Sequence, residues 1–537
     1  MRKKVSILMS ILVLVTVVLG GCSDGDNQTG KDTSNGSSQT QTQNAGGDET
    51  STGDAVYGGS IVVGITQDLD SLDPHKAVAA GTKEVLYNIF EGLVKADKDG
   101  NLVPALAESY TISPDGSEYT FVLRDGVKFH NGDLVTAEDV IYSLKRCSGL
   151  LTPQEEGVVI ESALSAISDI IKVDEKTVKV VMGEPSTELI GYFTCSIIPE
   201  DYKEQDTKPV GTGPFCFESY TPLTELVMTK NPDYYLEGKP YLDKVTFKIS
   251  ANTDAAFMEL MAGTIDIFPY LTAEQASQLK DTYTIMEGSM NLVQALFLNN
   301  AEGPLADVRV RQALCYATDR QAVIDMVAGG RGHVIGSNMF PSFTQYYDAE
   351  LETYYEYNTE KAKELLAEAG YADGFTFTIT VPSNYQFHVE TAQVLVEQYR
   401  QIGVEAKIQL IEWGSWLSDV YQGRNYEATV VGLDAELVPS DILKRYRSNA
   451  SNNFLNYKNT EVDELFAKAF ATVKDEEKET YYKEIQRLLT EDAASVYIQA
   501  PALLVAVNPN LGGYTFYPVY VQDMASVYYI GEAQVNE

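Results

Sequence analysis

The stretch from residue 375 to residue 411 constrains the fold more than any other. "FTFTITV" reads as a strand, "HVETAQVLVEQYRQIG" as a helix closed by Gly403, and "VEAKIQLI" as a second strand. Strand, helix and strand with short connections make a right-handed parallel crossover. That unit commits the region to α/β layers rather than a helical bundle. Strand and helix signals alternate from Ser60 onward. In "YTFVLRDGVKF" (119–129), Tyr119, Phe121 and Leu123 share a face, Asp125-Gly126 turns the chain, and Val127 and Phe129 resume the alternation. This predicts a hairpin of the Asp-Gly type. Thr136 and Asp139 spell an acidic variant of the capping box, and Asn358 starts a helix that Gly370 ends. Two amphipathic helices are expected near 461–474 and 476–491, ahead of the apolar, strand-rich "SVYIQAPALLVAVNP". With 537 residues the chain exceeds the ~250–300 at which single cores stop growing, so at least two lobes are expected.

The N-terminus reads as an address and a tether. Arg2, Lys3 and Lys4 precede a short apolar run from Ser6 to Leu19, too short for a span of ~20 residues but suited to a signal peptide over 1–21. The run ends in "LGGC", which resembles a bacterial lipobox and marks Cys22 as the lipidated residue. Two or more acyl chains there would anchor the protein stably. Residues 22–56 then form a tether rich in Gly, Ser, Thr, Asn, Gln and Asp, expected to be disordered.

A formal charge of −37 argues against nucleic acid, whose phosphates demand basic patches, and against adsorption of the protein body to anionic lipid. The 34 tyrosines suit a recognition surface, although most must be ordinary half-buried packing. Cys147, Cys195, Cys216 and Cys315 lack CxxC spacing, so neither a zinc ribbon nor a thioredoxin-type pair is supported. An extracytoplasmic setting would permit a Cys195–Cys216 disulfide, with four scattered buried thiols as the plainer reading. The four histidines, His75, His130, His333 and His388, are too far apart in sequence to read as a ligand pair. No cofactor, metal or enzyme motif stands out. "GTGPFCFESY" (211–220) opens like a phosphate loop, but Pro214 and an alternating strand follow where Lys and a helix start are needed. It reads as a turn feeding a strand.

Several stretches together resemble one family. They are "LDPHKA" (72–77), "VLYNIFEGLVKADKDGNLVPALAESYTISPDG" (85–116) and "FVLRDGVKFHNGDLVTAEDVIYSLKR" (121–146). In the same order follow "GTGPFCFESYTPLTELVMTKNPDYYLEGKPYLDKVTFKI" (211–249), "LADVRVRQALCYATDRQAVID" (305–325) and "YNTEKAKELLAEAGY" (357–371). The chain resembles the large extracytoplasmic solute-binding proteins of ABC importers, the peptide- and nickel-binding family. The resemblance implies a two-lobed α/β clamp with an enlarged first lobe. Lobe I would comprise 57–290 plus 500–537 and lobe II 291–499, with the two crossings as a hinge. It also implies a monomer that delivers its ligand to permease subunits and their ATPases without covalent chemistry.

A peptide ligand presents a backbone, an ammonium and a carboxylate. In peptide-binding members an Asp after an apolar strand pairs the ammonium, which points to Asp434 in "VVGLDAELVPSDIL". Dipeptide binders carry an arginine near the segment matching "VPSNYQFHVE", where this chain has Tyr385 and His388 instead. Lys444, Arg445 and Arg447 lie downstream and read as a solvated basic face, or as substitutes for that arginine. Trp413 and Trp416 sit just after a strand, at the end where α/β clefts take ligands. Tyr87, Asn88 and Glu91 are first-lobe candidates by resemblance only. The alternatives are a nickel-chelate or other small-solute carrier, and a lipoprotein that senses peptides.

Overall fold

In the computed structural model the described residues are 55–531, apart from 152–157, 160, 162, 184, 290–291, 436–437, 473, 518 and 520. The leader, Cys22 and nearly all of the tether fall outside them. The crossover read from 375–411 is present. Strands Thr376–Pro382 and Glu405–Ile411 pair in parallel, from Thr376 with Glu405 to Pro382 with Ile411. Helix Gln386–Arg400 covers them, burying Val389, Ala392, Leu395 and Tyr399. Gly403 is left-handed at φ 82°, and its carbonyl packs so close to Gly374 that no Cβ fits there.

This pair is one end of a sheet of twelve strands. From it the order runs through Ala428–Leu433 and Val293–Leu298 to the long strand Ser495–Val507, then Ile267–Phe268, Ser60–Ile65, Lys244–Ile249, Glu225–Lys230 and Phe215–Thr221. Thr284–Ser289 and Gly332–Val334 pair onto the long strand from its sides. Residues before and after Pro501 on that strand have different partners. Ser495–Gln499 pair with Val293–Leu298, whereas Ala502–Val507 pair with Thr284–Ser289. A proline has no N–H for a ladder, so the point where partners change is where a strand tolerates one.

Each half of the sheet is buried on both faces. On Val293–Leu298, Ala295 and Phe297 face one apolar cluster while Leu296 and Leu298 face another. Ile61, Val63 and Ile65 bury one face of their strand, and Val62 packs against the other cluster. A separate antiparallel sheet, in the order Ala107–Ile112, Glu118–Leu123, Thr177–Met182, Ile167–Lys172, carries helix Ala137–Ser148 and its own core. The capping box is formed: Thr136 accepts the Asp139 N–H, Asp139 accepts the Thr136 N–H at 2.9 Å, and Gly149 closes the helix at φ 80°. Asn358 likewise caps Thr359–Glu368. The paired helices are Thr460–Ala471 and Asp475–Glu491.

The expected Asp-Gly hairpin is not formed. Gly126 does turn, at φ 70°, but both edges of Glu118–Leu123 are occupied by Ala107–Ile112 and Thr177–Met182. The following residues pair with the next turn instead, through Lys128 and Leu134. "GTGPF" is a turn into strand Phe215–Thr221, as read from the sequence. Its glycines are required by close approach: a Cβ on Gly211 would strike the Ile89 carbonyl, and one on Gly213 would lie 2.6 Å from that of Asn88. Those carbonyls accept the Gly213 and Phe215 N–H groups at 2.9 and 3.0 Å.

The first and third of the family motifs meet in a buried ion pair. Arg146 donates to both carboxylate oxygens of Asp73, at 3.0 and 2.7 Å, with side chains only 2% and 3% exposed. Burial alone would raise the Asp73 carboxyl, but the hydrogen bonds and charge of Arg146 outweigh it and hold the carboxyl below its ordinary value. Its contribution is therefore present at neutral pH and lost as pH falls through that lowered pKa. Asp73→Asn is expected to cost about 3 kcal/mol, because it removes the carboxylate that accepts two hydrogen bonds from the buried guanidinium. Urea unfolding at neutral pH measures this, and an unchanged midpoint would make the pair energetically idle.

Candidate ligand cleft

Three neighbouring strands of the sheet, Glu405–Ile411, Thr376–Pro382 and Ala428–Leu433, end on the same edge, since the first and third each run parallel to the second. Their C-terminal ends deliver Trp413, Tyr385 and Asp434. Ligand sites of open α/β sheets form at this edge. Tyr385 meets Trp413 edge-to-face with centroids 5.2 Å apart, and Trp413 stacks on Trp416 at 5.0 Å with rings 4° from parallel. The row is graded in exposure. Tyr385 is exposed, Trp413 is half-buried, and Trp416 is buried with its indole N–H donating to Thr429 Oγ1 at 2.9 Å. Trp416 is thus the packed base of the row, and Tyr385 with Trp413 is its open end. These are the chain's two tryptophans. A ligand seated on Trp413 is expected to change the intrinsic fluorescence, and Trp413→Phe to abolish most of that change. A full response in the variant would place the ligand elsewhere.

His388 does not belong to the open surface. Its side chain is buried, Nε2 accepts the Gly432 N–H at 3.1 Å, and Nδ1 lies 2.8 Å from the Gln294 amide. Burial pushes its pKa down to about 4, so the ring is neutral and pins the helix to strand Ala428–Leu433. Both nitrogens are used, which corrects its reading as a ligand residue.

Asp434 lies just beyond that strand, exposed to solvent, and its carboxylate has no hydrogen bond among the described residues beyond its own backbone. Desolvation by the surrounding protein raises its pKa above 3.8; Asp441 adds to this, while Arg445 and Lys83 oppose it. Lys83 comes from helix Ala80–Leu86, in the part of the chain before residue 290. Of the two readings of Arg445, a solvated face or a substitute for the family's arginine, the solvated face does not hold, since the residue is buried. Its Nε donates to the Ile442 carbonyl at 3.2 Å, and its terminal nitrogens have no partner among the described residues. One acid and two cations are thereby grouped with spare hydrogen-bonding capacity. That composition suits a ligand carrying both signs of charge. Of the other two cations, Lys444 pairs with Asp441, and Arg447 lies over the Phe470 ring at 5.4 Å.

Residues before 290 and after 500 face this edge. Ala96, Leu102, Tyr517 and Val519 pack on the same apolar cluster as Trp416, Leu433 and Tyr497. Tyr87 is half-buried with its ring 6.3 Å from that of Tyr517, which keeps it among the candidates. Asn88 and Glu91 are corrected. The Asn88 amide donates to the Val85 and Gln522 carbonyls at 3.1 and 2.6 Å, and its oxygen accepts the Met524 N–H at 2.9 Å. Glu91 accepts from Tyr234, Tyr235 and Thr212, and pairs with Lys95. Their polar atoms are spent holding the C-terminal segment and the Gly211–Pro214 turn. Two residues that the sequence did not single out, Glu188 and Tyr192, reach across to the other half. Glu188 accepts hydrogen bonds from Ser440 and Tyr482, and Tyr192 donates to Asp441 at 3.0 Å.

The family model of the bacterial extracellular solute-binding proteins, family 5 Middle, matches residues 101–454. The chain belongs to this family. Family 5 is one of solute-binding proteins, not enzymes, and its solved members share this two-lobed α/β fold. The chain is 28% identical to the oligopeptide-binding protein AppA of Bacillus subtilis, over 96% of this chain and 97% of AppA. The solved structure of that AppA with a nonapeptide superposes with a TM-score of 0.72 over 89% of this chain and all of AppA, at 25% identity. DppA of Helicobacter pylori, in complex with the peptide STSA, gives 0.73 at 27% identity, over 89% of this chain and 99% of DppA. AgaA of A. tumefaciens R10, in complex with agropinic acid, gives 0.73 at 30% identity, over 89% and 100%. Among the described residues no helix is long and apolar enough to cross a membrane.

Proposed function

We propose that this family 5 protein is the substrate-binding component of an ABC importer and captures peptides outside the cell. The observation that carries this is Asp434, a carboxylate that among the described residues has no hydrogen-bond partner beyond its own backbone, where three strands end, with Lys83 and Arg445 near enough to bias its charge. A peptide ammonium supplies its missing partner, and Arg445 with Lys83 suits the carboxyl groups of the same ligand. Tyr385 and Trp413 offer flat contact that tolerates varied side chains. Peptide complexes of AppA and DppA support the ligand class. The lobes are 57–290 with 500–537, and 291–499, closing about the two crossings near residues 290 and 500. Lipidation at Cys22 anchors the protein at the outer face of the membrane, where the closed monomer hands its ligand to the permease subunits and their ATPases. No covalent chemistry is involved.

A second reading, capture of one small zwitterionic or anionic solute, is favoured by the two cations near Asp434, Lys83 and Arg445, and by agropinic acid in AgaA. Native mass spectrometry of the gently purified protein separates the two. Bound mass that resolves into a mixture of peptides supports the first. A single discrete adduct, or one with a metal isotope pattern, overturns the peptide assignment and leaves the family assignment standing.

A further inference from the structure

Two of the four body cysteines are brought together although 48 positions separate them: the Sγ atoms of Cys147 and Cys195 lie 3.0 Å apart. Cys147 is buried near the end of helix Ala137–Ser148, and Cys195 follows the turn Leu189–Thr194 with part of its surface open. His75 completes a compact cluster with the two sulfurs, a ring nitrogen and both Sγ atoms lying within 4.8 Å of one another. Its Nε2 is 3.8 Å from Cys195 Sγ and 2.7 Å from the Ser196 carbonyl oxygen, while Nδ1 is buried without a partner among the described residues. The other two, Cys216 and Cys315, make no such contact among the described residues.

We propose that Cys147 and Cys195 are a redox-active dithiol that closes to a disulfide by exchange with low-molecular-weight disulfides, Cys195 being the attacking sulfur and His75 its positioning residue. The extracellular setting of the family supplies the oxidising compartment in which such pairs persist. Sulfur atoms this close need only a small shift to reach the ~2.05 Å of a disulfide. The hydrogen bond from the Cys147 thiol, joined by His75, draws the Cys195 thiol down to about 5, while Cys147 is pushed up as the donor. The arrangement suits zinc less well, because His75 Nε2 is already engaged by the Ser196 carbonyl and the two sulfurs sit closer than two ligands of one metal.

The exchange balances without any other reactant. The Cys195 thiolate attacks one sulfur of RS–SR, forming Cys195–S–SR and expelling RS⁻. The Cys147 sulfur then attacks Cys195 Sγ, breaking the bond to SR and expelling the second RS⁻, and the Cys147 proton passes to an expelled thiolate. Two protein thiols are oxidised and one small disulfide is reduced. The bond would tie Cys195 to the helix, only seven positions beyond Glu188, which touches the other half of the molecule.

The test incubates the full chain with mixtures of glutathione and glutathione disulfide, alkylates free thiols, and maps peptides without reduction. The expected result is one Cys147–Cys195 linked peptide with a mass lower by two hydrogens in oxidising mixtures, while Cys216 and Cys315 remain alkylated. In Cys147→Ser, Cys195 should collect a glutathione adduct roughly tenfold faster than Cys147 does in Cys195→Ser, because only Cys195 is both ionised and open. The proposal fails if both thiols stay alkylable in every mixture. It also fails if Cys195 pairs with Cys216, or if the isolated protein holds stoichiometric zinc that protects both sulfurs.

Discussion

Asp434→Asn lowers the affinity for a peptide with a free N-terminus by about 2 kcal/mol, or ~30-fold, the scale of a lost charge-assisted hydrogen bond. Calorimetry with a free and an N-acetylated form of the same peptide measures it. The wild type should discriminate between them and the variant should not, since acetylation removes the charge that Asp434 meets. The pH dependence has a fixed sign. Desolvation raises the carboxyl of the free protein above 3.8, with Asp441 adding to it and Arg445 and Lys83 opposing, while a bound ammonium favours the ionised form. Binding therefore releases protons near that pKa, and affinity falls as pH drops through it. Asp434→Asn should erase this limb. Equal affinities for variant and wild type, or an unaltered pH profile, would remove Asp434 from the site.

What could be read from the chain was local. The crossover at 375–411, the Thr136 and Asn358 caps and the Gly211–Pro214 turn depend on neighbours a few residues away, and each is present. The Asp125-Gly126 hairpin failed because the outcome rested on which strand edges were already taken, and those belong to residues 107–112 and 177–182. The site residues divide in the same way. Tyr385, Trp413 and Asp434 follow strands that the pattern revealed, so their shared edge was open to inference. Asn88 and Glu91 carry suitable chemistry, but their partners come from far along the chain: Gln522 lies 434 positions from Asn88. Arg445 was hidden by its setting in "LKRYR", which reads as a solvated basic run until Ile442 and Leu443 are seen to be core. Nothing in "PSTELIGYF" separates Glu188 from any other loop acid, because its partners are supplied by the opposite half.

Those partners make Glu188→Ala the second large effect, expected in closure rather than in folding. The Glu188 carboxylate is buried, accepts hydrogen bonds from Ser440 and Tyr482, and faces the buried Lys478. Burial raises the Glu188 pKa and lowers that of Lys478, each opposed by the other's charge, so the anion and the cation are tolerable only together. Truncating one member of such a pair costs on the order of 3–5 kcal/mol while the other stays buried. Here the cost has an outlet. The pair spans the two halves, and separating them returns Lys478 and both hydroxyls to water. The penalty then falls on the closed state alone, and a ligand gripped by both halves must overcome it. Ligand affinity should drop at least ~30-fold, equivalent to about 2 kcal/mol, through faster dissociation. Small-angle scattering should show a larger radius of gyration for the unliganded variant, and the melting temperature should change little. Tyr482→Phe, which removes one hydrogen bond and leaves the charge pair, should show about 1 kcal/mol of the same effect. A melting temperature that falls steeply with ligand affinity intact would instead make Glu188 part of a permanently joined core, and the contact could not serve as the closing latch.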